Sequence, residues 1–165
     1  MPCLCTVDCD FLRPFGQSRW SANRSFEEDI RVWSEQTDRL YLWNYCVNFR
    51  HYLHAFPNIQ SMAANYRFFR DHHVRYLFEQ GHEQGLHAEF GELKAWLSAK
   101  LMWNPDQPVE PLIQRFLEGY YGSAAEPVGC YLKALSAHAM AEDRFCGIYN
   151  PPQRVYPDSF LDEAD

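Results

Sequence analysis

Three short runs of apolar, β-prone residues, at 4–7, 40–43 and 74–78, alternate with longer stretches in which apolar positions recur every three or four residues. A short apolar run bounded by turn formers reads as a buried strand, and the three-to-four spacing reads as a helix with one buried face. The first helix is expected to start at Ser25, which forms a capping box with Glu28, and to bury Phe26, Ile30 and Trp33. The second carries the stripe Ile59, Met62, Ala63, Tyr66 and Phe69 after Pro57 and Asn58. The third carries Phe90, Leu93, Leu97 and Leu101 and stops before Pro105.

Strand and helix in strict alternation call for parallel strands joined by right-handed crossovers, hence an α/β fold. The connections are uneven. Each strand-to-helix segment is long, while the helix-to-strand joints around Thr37–Asp38 and Asp71–His73 are short against the usual ~4 to 6 residues. Extra chain at the carboxyl ends of strands marks the ligand face of barrels and open sheets alike. Residues 1–104 are therefore expected to form the last three βα units of a partial (β/α) TIM-like barrel. Helices at 109–120 and 127–142 make a C-terminal helical appendix over 105–146, and 147–165 reads as an acidic, Pro-containing, flexible tail. Three strands cannot close a barrel of eight and leave sheet edges open, so a missing N-terminal barrel portion or a homo-oligomer is expected to complete the sheet.

The remaining composition narrows the partners. With 15 Lys plus Arg against 22 Asp plus Glu, a net charge of -7 offers no field for a phosphate backbone, and nucleic acid is not an expected partner. No run approaches the ~18 apolar residues of a membrane span and no signal peptide opens the chain, so no membrane contact is expected and the location stays open. The six cysteines lack paired C-x-x-C spacing and read mostly as buried thiols. His82 and His87 are five apart with Gly85 between them, about 140° around a helix, which is wrong for a two-histidine zinc face. No metal or other cofactor is expected. Asn23-Arg24-Ser25 matches a glycosylation sequon, but the serine is better read as the helix cap.

Candidate chemistry gathers just after the strands: Asp8 and Asp10, then Trp43, Asn44, Tyr45 and Asn48, then Glu79 and Gln80. Glu79 follows an apolar run, so burial at a strand tip should raise its carboxyl toward the range of a general acid; the plainer role is bonding to loop amides. Asp10 or Asp8 is the candidate partner, since glycoside hydrolysis uses two carboxylates about 5 to 9.5 Å apart. Trp43 and Tyr45 straddle the end of the second strand, one ring expected inward and the other outward. A stacking floor for a sugar and plain core packing both fit that placement.

The motifs Leu42-Trp43-Asn44-Tyr45, Phe56-Pro57-Asn58, Phe78-Glu79-Gln80-Gly81, Glu92-Leu93-Lys94-Ala95-Trp96 and Tyr120-Tyr121-Gly122, in this order, resemble a bacterial domain family of unknown function. Its members commonly follow an α-glucuronidase-type N-terminal domain and are taken for glycoside hydrolases. The resemblance runs from about Cys3 to Leu135. It implies a barrel-type carbohydrate-active protein with Glu79 in the Phe-Glu-Gln-Gly motif and Trp43 in the Trp-Asp/Asn-Tyr motif. Position 44 is Asn here, where relatives often carry Asp. The expected function is a glycoside hydrolase-like fragment acting on a glycan, with Glu79 and Asp10 catalytic and Trp43, Asn44, Tyr45, Asn48 and Gln80 holding substrate. A non-catalytic carbohydrate-binding or inactive remnant module is the alternative.

Overall fold

A computed structural model describes residues 1–142, 144–151 and 156. Its elements are β1 (Cys3–Cys5), α1 (Ser21–Gln36), β2 (Leu40–Tyr45), α2 (Ile59–Asp71), β3 (Val74–Gln80), α3 (Gly91–Trp103), α4 (Val109–Tyr121), a 3-10 turn (Gly122–Ala124) and α5 (Ala125–Glu142). The strands form one parallel sheet in the order β1-β2-β3. The long connections 6–20, 46–58 and 81–90 all leave the carboxyl ends of the strands.

Side chains alternate across a strand, so each strand presents two faces. Leu40, Leu42 and Val74 are buried in one apolar core with Phe26 and Ile30 of α1, Met62, Tyr66 and Phe69 of α2, and Leu97 and Leu101 of α3. The other face carries Cys3, Cys5, Tyr41, Trp43, Tyr45, Tyr76, Phe78 and Gln80, which are exposed or only half-buried. The pairing places Leu40 beside Val74 but Tyr41 beside Tyr76, so Arg75 is an extra residue that resets the alternation in β3. Without that bulge, Glu79 would fall on the open face.

The first helix departs from its sequence signature. It begins at Ser21, with Trp20 before it and no side-chain cap, so Ser25 sits inside the helix and the capping box does not form. What holds this end is Asn23, fully buried, whose Oδ1 accepts from the Asp10 amide at 2.8 Å and whose Nδ2 donates to the Asp10 carbonyl at 2.9 Å. That tie also buries the asparagine of the sequon. The third strand runs two residues further than its apolar run, because Glu79 and Gln80 continue the ladder beside Asn44 and Tyr45.

The helical appendix is not a separate layer, since α5 contributes Leu132, Leu135 and Ala139 to the same core. Nor is the start of the tail loose. Cys146 and Ile148 are buried; the Cys146 carbonyl accepts from the Phe11 amide at 3.0 Å, and the Ile148 carbonyl from the Phe49 amide at 2.7 Å. Tyr156 is buried and donates its hydroxyl to the Leu135 carbonyl at 3.0 Å. Residues 152–155 and 157–165, where flexibility was also expected, lie outside the described residues. The stretch around 144–151 thus stitches the loops that follow β1 and β2.

Candidate functional site

A chain of polar side chains crosses the helix-covered side of the sheet at the strand tips. Thr6 donates its hydroxyl to Asn44 Oδ1 at 2.6 Å, and Asn44 Nδ2 donates to Glu79 Oε1 at 2.6 Å. Tyr66 of α2 bonds Glu79 as well, and its hydroxyl lies 3.2 Å from Ser98 Oγ of α3. A phenol has one proton, so when Tyr66 donates to an ionised Glu79 it must accept from Ser98. Thr6, Asn44, Tyr66 and Ser98 are all buried, and their bonds tie the residue that follows β1, strands β2 and β3, and two helices together.

Burial pushes the Glu79 carboxyl up to about 7, with the Asn44 and Tyr66 hydrogen bonds pulling the other way. The group is deep yet not sealed. Part of Glu79 borders a cavity of about 460 Å³ between β3 and α3, lined also by Leu77, Phe78, His82, Ser98 and Met102. Cys46 borders the same space, donating to the Gln80 carbonyl at 3.4 Å; burial and the nearby Glu79 raise its thiol to about 12, so it stays neutral and unreactive.

The open side of the sheet is aromatic. Trp43 meets Phe78 edge to face with centroids 5.1 Å apart, and its Nε1 donates to Gln80 Oε1 at 2.7 Å. Trp43 is 38% exposed, Phe78 41% and Tyr76 51%, so these rings have water, not core, on one side. Tyr45 lies beyond Trp43 on the same face. Its ring packs edge-on to Phe49 at 5.5 Å, and Phe49 meets the exposed Tyr149 at 6.5 Å, continuing the aromatic surface past the strand tips.

The sequence-predicted residues therefore divide in two. Trp43, Tyr45 and Gln80 share the open face, whereas Asn44 and Glu79 share the covered one. The expectation that Trp43 and Tyr45 would point apart fails because residues two apart along a strand share a face. Asp10 and Asn48 are in neither group. Asp10 Oδ1 accepts from the amides of Cys146 at 2.8 Å and Leu12 at 3.3 Å, and Oδ2 lies 3.5 Å from Ser18 Oγ. Burial raises its carboxyl against those bonds. The buried Asn48 accepts on Oδ1 from the amides of Arg50 and His51 and donates to the Asn150 carbonyl at 2.8 Å. Both are loop-building side chains, and Asp8 is exposed.

Two groups escaped the sequence reading. Lys94 is 1% exposed and donates to the Phe56 carbonyl at 2.9 Å and to Glu89, with its ammonium 5.4 Å from the Phe56 ring centroid. It clamps the loop after β2 to the loop after β3. The available signal was its place beside Leu93 on the stripe Leu93, Leu97, Leu101, where a cation must find a partner. Tyr66 was read as part of an apolar stripe and Ser98 was not singled out; a buried hydroxyl needs a partner, which Glu79 supplies for Tyr66 and Tyr66 for Ser98.

His73 Nδ1 lies 3.1 Å from the Ser34 carbonyl and His72 Nδ1 2.8 Å from that of Phe68, so both serve the joint between α2 and β3. His82 packs beside Gly91, where a Cβ would stand 3.2 Å from its ring. Among the described residues, no group of three His, Cys, Asp or Glu is placed to hold a metal ion.

One protein family, described as Domain of unknown function (DUF4838), matches residues 3–133. No curated protein and no solved structure matches the chain significantly.

Proposed function

This chain belongs to the DUF4838 family, and we propose that the open face of its sheet binds a glycan at the strand tips. The observation that carries this reading is the run of water-facing rings Trp43, Phe78 and Tyr76, with the Gln80 amide held among them by Trp43 Nε1. An exposed aromatic ring offers an apolar floor to the C–H face of a pyranose, and an oriented amide supplies hydrogen bonds to its hydroxyls. We also read the three units as consecutive units of a (β/α) barrel, with the other strands supplied by a longer polypeptide or a second copy. Support comes from the sequential parallel order, from helices covering one face, and from the long connections at one end. In that setting Trp43, Phe78, Tyr45 and Gln80 line the mouth where barrels bind ligands, with Tyr41 and Tyr76 one layer deeper.

Calorimetric and tryptophan-fluorescence titration against a panel of neutral and uronic oligosaccharides tests the reading. Binding that shifts Trp43 emission and weakens at least about tenfold in Trp43→Ala is the expected result. No binding across the panel, or unchanged binding by the variant, would overturn it.

A second reading is glycoside hydrolysis with Glu79 as acid/base. It is favoured by a carboxyl raised to about 7 that borders a cavity. It needs a second carboxylate about 5 to 9.5 Å away; Asn44 holds the adjacent position and Asp10 is engaged in loop bonds. Turnover of any glycan in the panel that is lost in Glu79→Gln would establish it, and equal turnover by that variant would exclude it.

A further inference from the structure

We infer that the cavity between β3 and α3 binds a small organic cation, a primary ammonium with a compact apolar body, seated on Glu79. Its carboxylate lies on the helix-covered side of the sheet; of the glycan-face rings the cavity borders only Phe78, and the inference does not depend on that reading. Its volume of about 460 Å³ falls within the range of small-ligand pockets. The walls are mainly apolar, with Leu77, Phe78, Met102 and Val47 around a single carboxylate. That combination suits a ligand with one charged end and a hydrocarbon remainder.

The donor count at Glu79 points the same way. An ionised carboxylate has about four lone-pair sites, and the side chains bonded to it are Asn44, on Oε1, and Tyr66. A buried carboxylate with so few donors is costly to ionise, and an ammonium supplies both the missing donors and the compensating charge. Phe78 adds a ring edge or face beside the cation. Lys94, the nearest buried cation in sequence to Ser98, is already bonded to Glu89 and Phe56. The chain's net charge of -7 raises the local concentration of cations around it.

Binding follows the protonation of Glu79. Among the groups packed around it, Tyr66 and Cys46 are held neutral by burial, and Asn44 and Ser98 do not titrate in this range. His82 is the other titratable side chain that lines the cavity with Glu79 and Cys46. Affinity should therefore rise from pH 5.5 to pH 8, with proton release on binding below neutral pH; His82→Gln isolates the part due to Glu79.

The probe is benzylammonium, with benzyl alcohol as its neutral counterpart, followed by calorimetry in two buffers of different ionisation enthalpy. Benzylammonium is expected to bind by about 10 mM, the range reached by fragments of this size, and the alcohol at least about tenfold more weakly. Glu79→Gln should lose at least about tenfold in affinity. Should that variant fold poorly, Ala99→Trp carries the test, because it fills the cavity from an exposed helix position without touching the Glu79 network. Equal binding of the alcohol, retained binding in both variants, or no binding of the ammonium at that concentration would each overturn the inference. Trp43→Ala should leave ammonium binding intact, so failure on the glycan face and failure here are separable.

Discussion

Asn44 donates its side-chain amide to Glu79 Oε1 at 2.6 Å across the β2–β3 pair, while the Trp43 ring, one residue earlier, packs on Phe78 on the other side of the sheet. One consequence concerns pH. The folded chain holds the Glu79 proton up to about 7, against a free value of 4.5, so the folded state binds the proton more tightly than the unfolded one. The stabilisation is full below about 4.5 and is lost as pH rises through about 7. Its size is on the order of 3 kcal/mol at most. Glu79→Gln, which keeps the acceptor for Asn44, should remove that slope. Urea unfolding at pH 5 and pH 8 measures it, and an equal slope in both proteins would refute the shift.

Asn44→Asp should turn this pair into two carboxyls at hydrogen-bond distance. Such groups cannot both ionise, so the pair keeps one proton well into the neutral range. The variant is expected to be close to the parent chain in stability at pH 5 and weaker by roughly 2–4 kcal/mol at pH 8, where the proton must leave. Thermal melts across that interval decide the matter; parallel curves for the two proteins would show that Asn44 and Glu79 do not interact as described.

Lys94 offers a test of what holds the strand-end loops. Lys94→Met strands the half-buried Glu89 and orphans the Phe56 carbonyl, at a cost of about 3–5 kcal/mol. The double variant Glu89→Gln, Lys94→Met removes both charges and should recover much of that loss, because a paired buried charge differs from an abandoned one. A double-mutant cycle by denaturant unfolding gives the coupling directly, and additive losses would mean that the clamp is only packing.

The element order was legible because apolar period and turn residues act locally, and the stripe Ile59, Met62, Ala63, Tyr66, Phe69 is buried as its spacing requires. What local pattern could not supply was the facing of the strand tips. A single extra residue, Arg75, decides which side of the sheet receives Glu79, and nothing in the apolar run marks it. The helix start was hidden for a similar reason. Ser25 and Glu28 match a capping box, but the tertiary tie between Asn23 and Asp10 anchors the chain earlier. Asp10 and Asn48 were read for chemistry because they are polar residues at strand ends, while their partners Cys146 and Asn150 lie more than a hundred positions away.

That last distance makes Asp10 separable from any reaction. Its Oδ1 accepts from two amides, those of Leu12 and Cys146, and so joins the loop after β1 to the segment after α5. Asp10→Ala leaves those buried N–H groups without an acceptor and should cost roughly 2–4 kcal/mol. Asp10→Asn keeps one oxygen for the same amides and should cost less than half as much. A group acting on substrate would show the reverse, with stability nearly unchanged and the isosteric amide as damaging to function as alanine. Unfolding free energies for both variants, set beside their oligosaccharide titrations, distinguish the two roles. Glycan affinity that follows only the folded fraction would leave Asp10 as the fastening of the loop and remove it from the pair of carboxylates.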